Sequence, residues 1–495
     1  MDSKKFLLWL IFAITLAIRL SYALSTPHFS TDETYFTLRQ VEHITHTGLP
    51  LYADTLSYGG RTFLFNPLYM YILAFFNLFL PITLVAKLIP NIFIASIVFI
   101  IYYIVKDTTD NPKIALLGAA VSPVIPIYFV ETLNDASVYS LVIPMMFLTL
   151  FLFVNIRKHK KYGMYCATAM AALALTHPSS LLFIFAFIIY YLFLKVENLP
   201  VHKAEKEVMI FSTIFVIVVQ FFIFRHALIQ QGISVIYQNI PSALLASYFK
   251  DITILQAVYQ IGIIPLFYGI YVVYRYLFRE KEYTIYLYIS FAFAVSLLLW
   301  FKFIPINSGL MFLGAILLLL FTQRFVLYIN FIKKTKFAKY ETLLLVSILI
   351  SFLITSLVPA LALGDNTMKN SFSDQEIEAF SWIDLNLEKD AVIFATLEEG
   401  HLITYYGKRK NYMDSNFLRI DDVNERYENI NRLYTTVSQT EAYNILAGSD
   451  YLIFSERAKS TYSSKLEFFN RKCLKTVFRN DEVRIFKILC GVETL

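Results

Sequence analysis

Apolar residues run along this chain in long unbroken blocks, not in the short alternations of a soluble domain. Blocks near the ~20 residues that cross a ~30 Å hydrocarbon core fall at about 6–24, 66–80, 82–105, 113–129, 136–155, 161–176, 179–195, 206–224, 254–277, 283–300, 304–327 and 340–361. The block at 66–80 is the weakest, because it is short, opens with Asn66-Pro67 and stops at Pro81. Read as a surface or re-entrant helix, it leaves about eleven spans. The basic loops at 106–113, 156–161, 195–206, 275–282 and 328–339 then share a side with Lys4-Lys5. Lys and Arg concentrate in cytoplasmic loops, so the N-terminus is expected inside. The other face receives the 25–65 loop, the turn around Glu131 to Asp135, Thr176-His177-Pro178, the 225–253 loop and the C-terminal tail. Its cations are few: Arg39, Arg61, Arg225, Lys250 and Lys302.

Two stretches break the apolar pattern. From Asp32 to about Thr47, Phe36, Leu38, Val41 and Ile44 recur among polar residues, and the pattern ends at Gly48-Leu49-Pro50. This predicts an amphipathic helix on the membrane surface. With Thr31 or Asp32 as its N-cap, the pair Asp32-Glu33 sits at the positive end of the helix dipole. After Leu363 the chain becomes polar and mixed in charge. The predicted division is a membrane domain over 1–363 and a small α/β domain over 364–495, with a helix from Ser373, strands at 391–395 and 450–454, a helix near Gly400 and a closing hairpin over 474–489.

Composition agrees: 57% hydrophobic and 16% charged residues, with 46 Phe and 34 Tyr, cannot coat a soluble globule. The net charge of +6 resides in the short loops between spans, which removes nucleic acid as a partner. Arg19 interrupts the first apolar run and many spans follow, so this run reads as an uncleaved helix and not a signal peptide. Cys166 lies in an apolar run. Only Cys473 and Cys490 are placed to pair, and no spacing suits zinc.

The candidate chemistry is acidic. Asp32-Glu33 in the first outer loop and Glu131 with Asp135 in the next bring carboxylates to one face, where one can act as general base and another can position an acceptor or a cation. His177 faces the same side. Arg19, Lys87, Arg61 and Lys302 lie near outer span ends or in outer loops, where a lipid phosphate would need positive charge.

An acidic pair in the first outer loop, the Pro-led helix Phe65-Asn66-Pro67-Leu68-Tyr69-Met70-Tyr71, a second acidic site and a C-terminal outer domain together resemble the GT-C superfamily of membrane glycosyltransferases. The span count is similar to the protein O-mannosyltransferase and aminoarabinose-transferase branch. The stretch Glu398 to Arg409, with Glu399 and His401, followed by Asp414, distantly resembles the segment around the Trp-Trp-Asp-Tyr-Gly motif of oligosaccharyltransferases, although the motif itself is absent. The resemblance implies an inverting transfer from a polyprenyl-phosphate-linked sugar to a protein, lipid or glycan acceptor at the extracytoplasmic face of a multi-pass membrane protein, and between the plasma membrane and the endoplasmic reticulum the Tyr- and Lys-rich usage favours a prokaryotic plasma membrane. Asp32 would be the base with Glu33 beside it, Asp135 or Glu131 the second-loop acid, and Lys302, beside Phe303-Ile304-Pro305, the phosphate ligand. Branches with a pyrophosphate donor use a divalent cation, Mg or Mn, which Asp32 and Asp135 would hold here. Monophosphate branches generally do not, and this chain is read with them. A transporter or flippase of a lipid-linked saccharide is the alternative, and it would place ionisable groups at mid-membrane instead.

Overall fold

The structure, a computed structural model, describes residues 3–249, 253–463, 466, 468 and 472–490. Lys250, one of the outer-face cations, lies outside them. Among the described residues, seven helical stretches, from Ser3–Ala23 to Ala338–Asn386, are long and apolar enough to cross a membrane, and nine are when two bent pairs each count as one span. The chain is a helical multi-span membrane protein with a C-terminal domain built on a mixed β-sheet. The two blocks that fall short of the expected eleven are 136–155 and 161–176. They fold as Tyr139–Asn155 and Lys161–Thr176, of 17 and 16 residues, below the ~20 that a ~30 Å core asks. The block at 66–80 gives the 10-residue helix Leu68–Asn77, too short to cross.

The block at 254–277 is not one straight span. Ile254–Ile261 and Ile263–Phe278 meet at 108°. Gly262 is the joint: its φ is +102°, and a Cβ there would lie 2.5 Å from Ser356 Oγ. Both the positive φ and the close approach require glycine. Pro126 marks the other bend, 44° between Pro112–Val124 and Pro126–Thr132, since proline cannot continue the hydrogen-bond ladder.

Two cations expected at a lipid phosphate are structural instead. Arg19 is fully buried, donating from Nε to Asn91 Oδ1 (2.8 Å) and from an Nη to Thr132 O (2.7 Å) and Oγ1 (2.8 Å), with its guanidinium over Phe129. Lys87 Nζ donates to Ala23 O (2.6 Å), Thr26 O and Asn134 Oδ1 (3.3 Å). Each ties together carbonyls at helix ends that lack intrahelical donors.

The surface helix forms over Asp32–Thr47 as its pattern predicts. Thr31, in extended conformation, is its N-cap, and Gly48 in the left-handed region closes it. Its environment differs from the expected membrane surface. Val41 and Ile44 pack on Tyr69, Leu73 and Val85 of the membrane domain. Tyr35 and Leu38 enter the core of the outer domain with Phe380, Ile383, Leu402 and Ile403. The helix is a strut between the two.

A short ribbon follows, β1 (Ala53–Asp54) against β2 (Arg61–Thr62). The outer sheet comprises β3 (Val392–Phe394), β4 (Lys410–Asn411), β5 (Tyr451–Ser455), β6 (Leu474–Arg479) and β7 (Val483–Ile488), in the order β4-β3-β5-β7-β6. β3 runs parallel to β4 and β5, and β7 is antiparallel to β5 and β6. Ser373 and Glu376 form a capping box that starts the helix Asp374–Asn386. The expected hairpin turns at Asn480, whose Oδ1 accepts from the N–H groups of Glu482 and Val483. Cys473 and Cys490 form a disulfide.

Candidate active site

Successive residues of a helix point ~100° apart around its axis, so the adjacent acids of the surface helix serve different neighbours. Asp32 turns to the outer domain, where its carboxylate accepts from the backbone N–H groups of His401 (2.8 Å) and Leu402 (2.9 Å). Glu33 turns instead into a cavity of about 700 Å³ between the membrane helices and the outer domain. Asp135 and Glu131 line the same cavity, together with Tyr69, Tyr139 and His177. Asp32, expected as the base, is not among the residues that line it.

The second-loop acids are fixed by local chemistry. Asn134 Nδ2 donates to His28 O, Ser30 Oγ and Ser371 Oγ, each at 3.0 Å, and so pins the loop. Its neighbour Asp135 is thereby held towards the cavity and accepts from Thr34 Oγ1. Glu131 accepts from Asn307 Nδ2 at 2.7 Å. Sequence left open which of Glu131 and Asp135 serves, and both reach the cavity.

Glu33 is exposed within the cavity, whose protein walls thin the solvent around it. Loss of bulk solvent, then the Asp135 carboxylate, push its pKa up to about 7 against a hydrogen bond to Ser415. Burial likewise raises Asp135, opposed by Thr34 and Thr31. Burial pushes the His177 imidazole down to about 4, so it is neutral at neutral pH. Its Nδ1 accepts from Ser179 N–H (3.1 Å) and its ring packs on Tyr139. His177 is a polar wall and not a proton reservoir.

No Lys or Arg lines the cavity among the described residues. Arg61, a further expected phosphate ligand, is buried under the outer domain, donating to Asn416 O and Leu418 O (2.5 Å) and facing Asp414 at 3.8 Å. Lys302 alone of the four expected cations is exposed, three residues before Pro305, which lines the cavity. Among the described residues no three His, Cys, Asp or Glu side chains gather closely enough to hold a metal ion. Asp32 and Asp135, the pair expected to do so, are engaged separately, the one by backbone N–H groups and the other by Thr34.

Glu399 is also structural: buried, it accepts from Thr396 Oγ1 (2.6 Å) and caps its own turn. His401 stands behind the cavity wall, its Nε2 3.2 Å from Ser415 Oγ and 3.1 Å from Asn416 Nδ2. Ser415 and Asn416 form the wall itself. Sequence reading passed over this pair. Their only signal was proximity to Asp414 in the segment that resembles oligosaccharyltransferases. It also passed over Asn307 and Ser308, Gln238, Ser247 and Tyr248 of the 225–253 segment, and Gln256 and Gln260 of the helix Ile254–Ile261, all of which line the cavity.

No protein-family model matches the chain, and no curated protein matches it by sequence. Solved structures do match in fold. The oligosaccharyltransferase of Archaeoglobus fulgidus in its apo form aligns at a TM-score of 0.69 and 12% identity, covering 94% of this chain and 72% of that one. The same enzyme has been solved with an inhibitory peptide and a dolichol-phosphate, and that form aligns at 0.66 and 12%, covering 92% and 70%. ArnT of Cupriavidus metallidurans, bound to undecaprenyl phosphate, aligns at 0.55 and 12% over 98% of both chains. The mycobacterial arabinofuranosyltransferase AftD aligns at 0.60 and 11%, covering 98% of this chain and 40% of that one. The fold is that of GT-C enzymes.

Proposed function

We infer that this chain is a GT-C-type membrane glycosyltransferase that moves a sugar from a polyprenyl phosphate to an acceptor at the extracytoplasmic face, with inversion at the anomeric carbon. The observation that carries the reading is a cavity, at the junction of the membrane and outer domains of this fold, lined by three carboxylates from two segments, Glu33 of the surface helix and Glu131 with Asp135 of the second outer turn. Structures of this fold hold undecaprenyl phosphate and dolichol-phosphate. The Cys473–Cys490 disulfide supports an oxidising space for the outer domain, and the basic loops that share a side with Lys4-Lys5 support a cytoplasmic N-terminus.

Glu33 is the general base in this mechanism. It takes the proton of an acceptor hydroxyl as that oxygen attacks the anomeric carbon. The bond from that carbon to the phosphate oxygen breaks, and the lipid phosphate leaves with the bonding electrons. Asp135 and Glu131 accept hydrogen bonds from further hydroxyls, and the Asp135 charge strengthens the affinity of Glu33 for the proton it takes. Lys302, at the rim, meets the departing phosphate. Lys302→Ala is expected to raise KM for the lipid donor several-fold at unchanged kcat. Unchanged donor kinetics would remove it from the site.

The pH dependence has a definite sign. A base is competent when deprotonated, so kcat is expected to climb with pH through about 7, where Glu33 titrates, and to level off above it. Stability runs the other way: the folded state holds this proton more tightly than the ordinary glutamate value of 4.5 allows, so ionisation between 4.5 and about 7 destabilises the fold. The test of the reading is a transfer assay on purified protein with a panel of polyprenyl-phosphate sugars. Donor consumption with release of free polyprenyl phosphate supports it, whereas a donor that crosses the bilayer unconsumed overturns it.

A further inference from the structure

Asp32 takes no part in the chemistry above, yet its side chain is only 8% exposed and both oxygens are engaged. Two successive backbone N–H groups from a segment 369 and 370 residues away converge on one carboxylate. The contacts around it repeat the pattern. Tyr35 packs on Tyr405 and Tyr406, Phe36 packs on His401, and Glu42 accepts from Tyr405 Oη at 2.8 Å. The segment 401–406 therefore docks along one side of the surface helix, with Asp32 at its first contact.

That docking leads to the cavity. His401, whose N–H is held by Asp32, reaches Ser415 and Asn416 with its ring. Ser415 and Asn416 line the same cavity as Glu33. The route from Asp32 through His401 to the wall of that cavity thus links the surroundings of two neighbouring residues of one helix. Gly400 permits it: a Cβ there would fall 2.3 Å from Met413 O and 2.6 Å from Asp414 Cβ, so only glycine lets the two strands of this loop approach.

We propose that Asp32 is a positioning residue: its carboxylate docks the outer domain on the surface helix and so sets Ser415 and Asn416 against Glu33, without exchanging a proton with the acceptor. The docking stands on its own geometry, while its effect on catalysis rests on the glycosyltransferase reading. The experiment is amide hydrogen exchange, read by mass spectrometry over residues 398–406 of the full-length protein in lipid nanodiscs, alongside transfer kinetics. Asp32→Ala is expected to speed exchange at His401 and Leu402 by ~10- to 100-fold, the range for loss of a hydrogen bond to a charged group. It is expected to raise the acceptor KM and to leave the pH midpoint of kcat in place. Asp32→Asn, isosteric and with one accepting oxygen instead of two, is expected to fold and to give intermediate exchange. Glu33→Gln is expected to leave these amides protected.

Amides that stay protected in both Asp32 variants overturn the proposal. So does a kcat lost at unchanged acceptor KM in Asp32→Asn, which would make Asp32 a catalytic residue. If the wild type consumes no polyprenyl-phosphate sugar, the functional reading fails, and the exchange comparison still decides the docking.

Discussion

Glu33→Gln is expected to lower sugar transfer by ~10²- to 10⁴-fold, the usual contribution of a positioned general base, with donor binding retained. Glutamine keeps the shape of the side chain and its hydrogen-bonding reach to Ser415, so the cavity wall stays in place. What it loses is the site that accepts the acceptor's proton. The residual rate should also lose its rise through about pH 7, because the group that titrates there is gone. Asp135→Asn is the informative companion. It removes the carboxylate that raises Glu33, so the midpoint of the pH profile should fall, with a smaller loss of rate. A Glu33→Gln enzyme that transfers sugar at the wild-type rate would end the assignment of Glu33 as base.

Arg61→Ala is expected to cause the largest loss of structure, ~3–5 kcal/mol, the range for removing one member of a buried ion pair. The Arg61 and Asp414 side chains are 2% and 0% exposed. Arg61 also packs over Phe63 and Tyr58 and satisfies the carbonyls of Asn416 and Leu418. Without it, Asp414 keeps Ser57 Oγ (2.6 Å), Asn411 Nδ2 (3.0 Å) and the Asn416 N–H (3.0 Å) but loses its guanidinium. His401, 3.8 Å from Asp414 and held below the ordinary histidine value by burial, does not replace that charge. Urea unfolding of the outer domain, followed by exchange at 400–416, measures the loss. Combining Arg61→Met with Asp414→Asn should recover part of it, since the cost of the single change is a charge left without its partner. Additive losses would show instead that packing over Phe63 and Tyr58 dominates.

Much of this architecture was legible in the sequence because it depends on local pattern. Block lengths gave the membrane class, Ser373-Asp374-Gln375-Glu376 announced a helix start, and Asn480-Asp481-Glu482 marked the outer hairpin. What escaped depends on distant partners. Arg19 and Lys87 looked like cations at span ends, and nothing near them in sequence shows that Asn91, Thr132 and Asn134 will enclose them. The bend at Gly262 lies in an apolar run whose hydropathy is the same straight or folded. β4 has two residues, too few for any alternation to register. For the candidate site, the acidic pair and both second-loop acids were legible as carboxylates on one face. Sequence could not divide the labour between Asp32 and Glu33, because that division follows from helix rotation and from a backbone segment in the other domain.

The 369 residues between Asp32 and His401 also set a timetable for biosynthesis. At 5–20 residues per second, a ribosome that has just released the surface helix needs roughly 20–75 s to reach its docking partner. Throughout that interval the membrane helices can insert while Asp32 and Tyr35 stand uncovered. A nascent chain halted before residue 400 would carry the acids of the site with no wall behind them. Completion of the cavity wall is thus a late event of translation, and until then the Tyr35 face that the outer domain covers in the finished chain stays open.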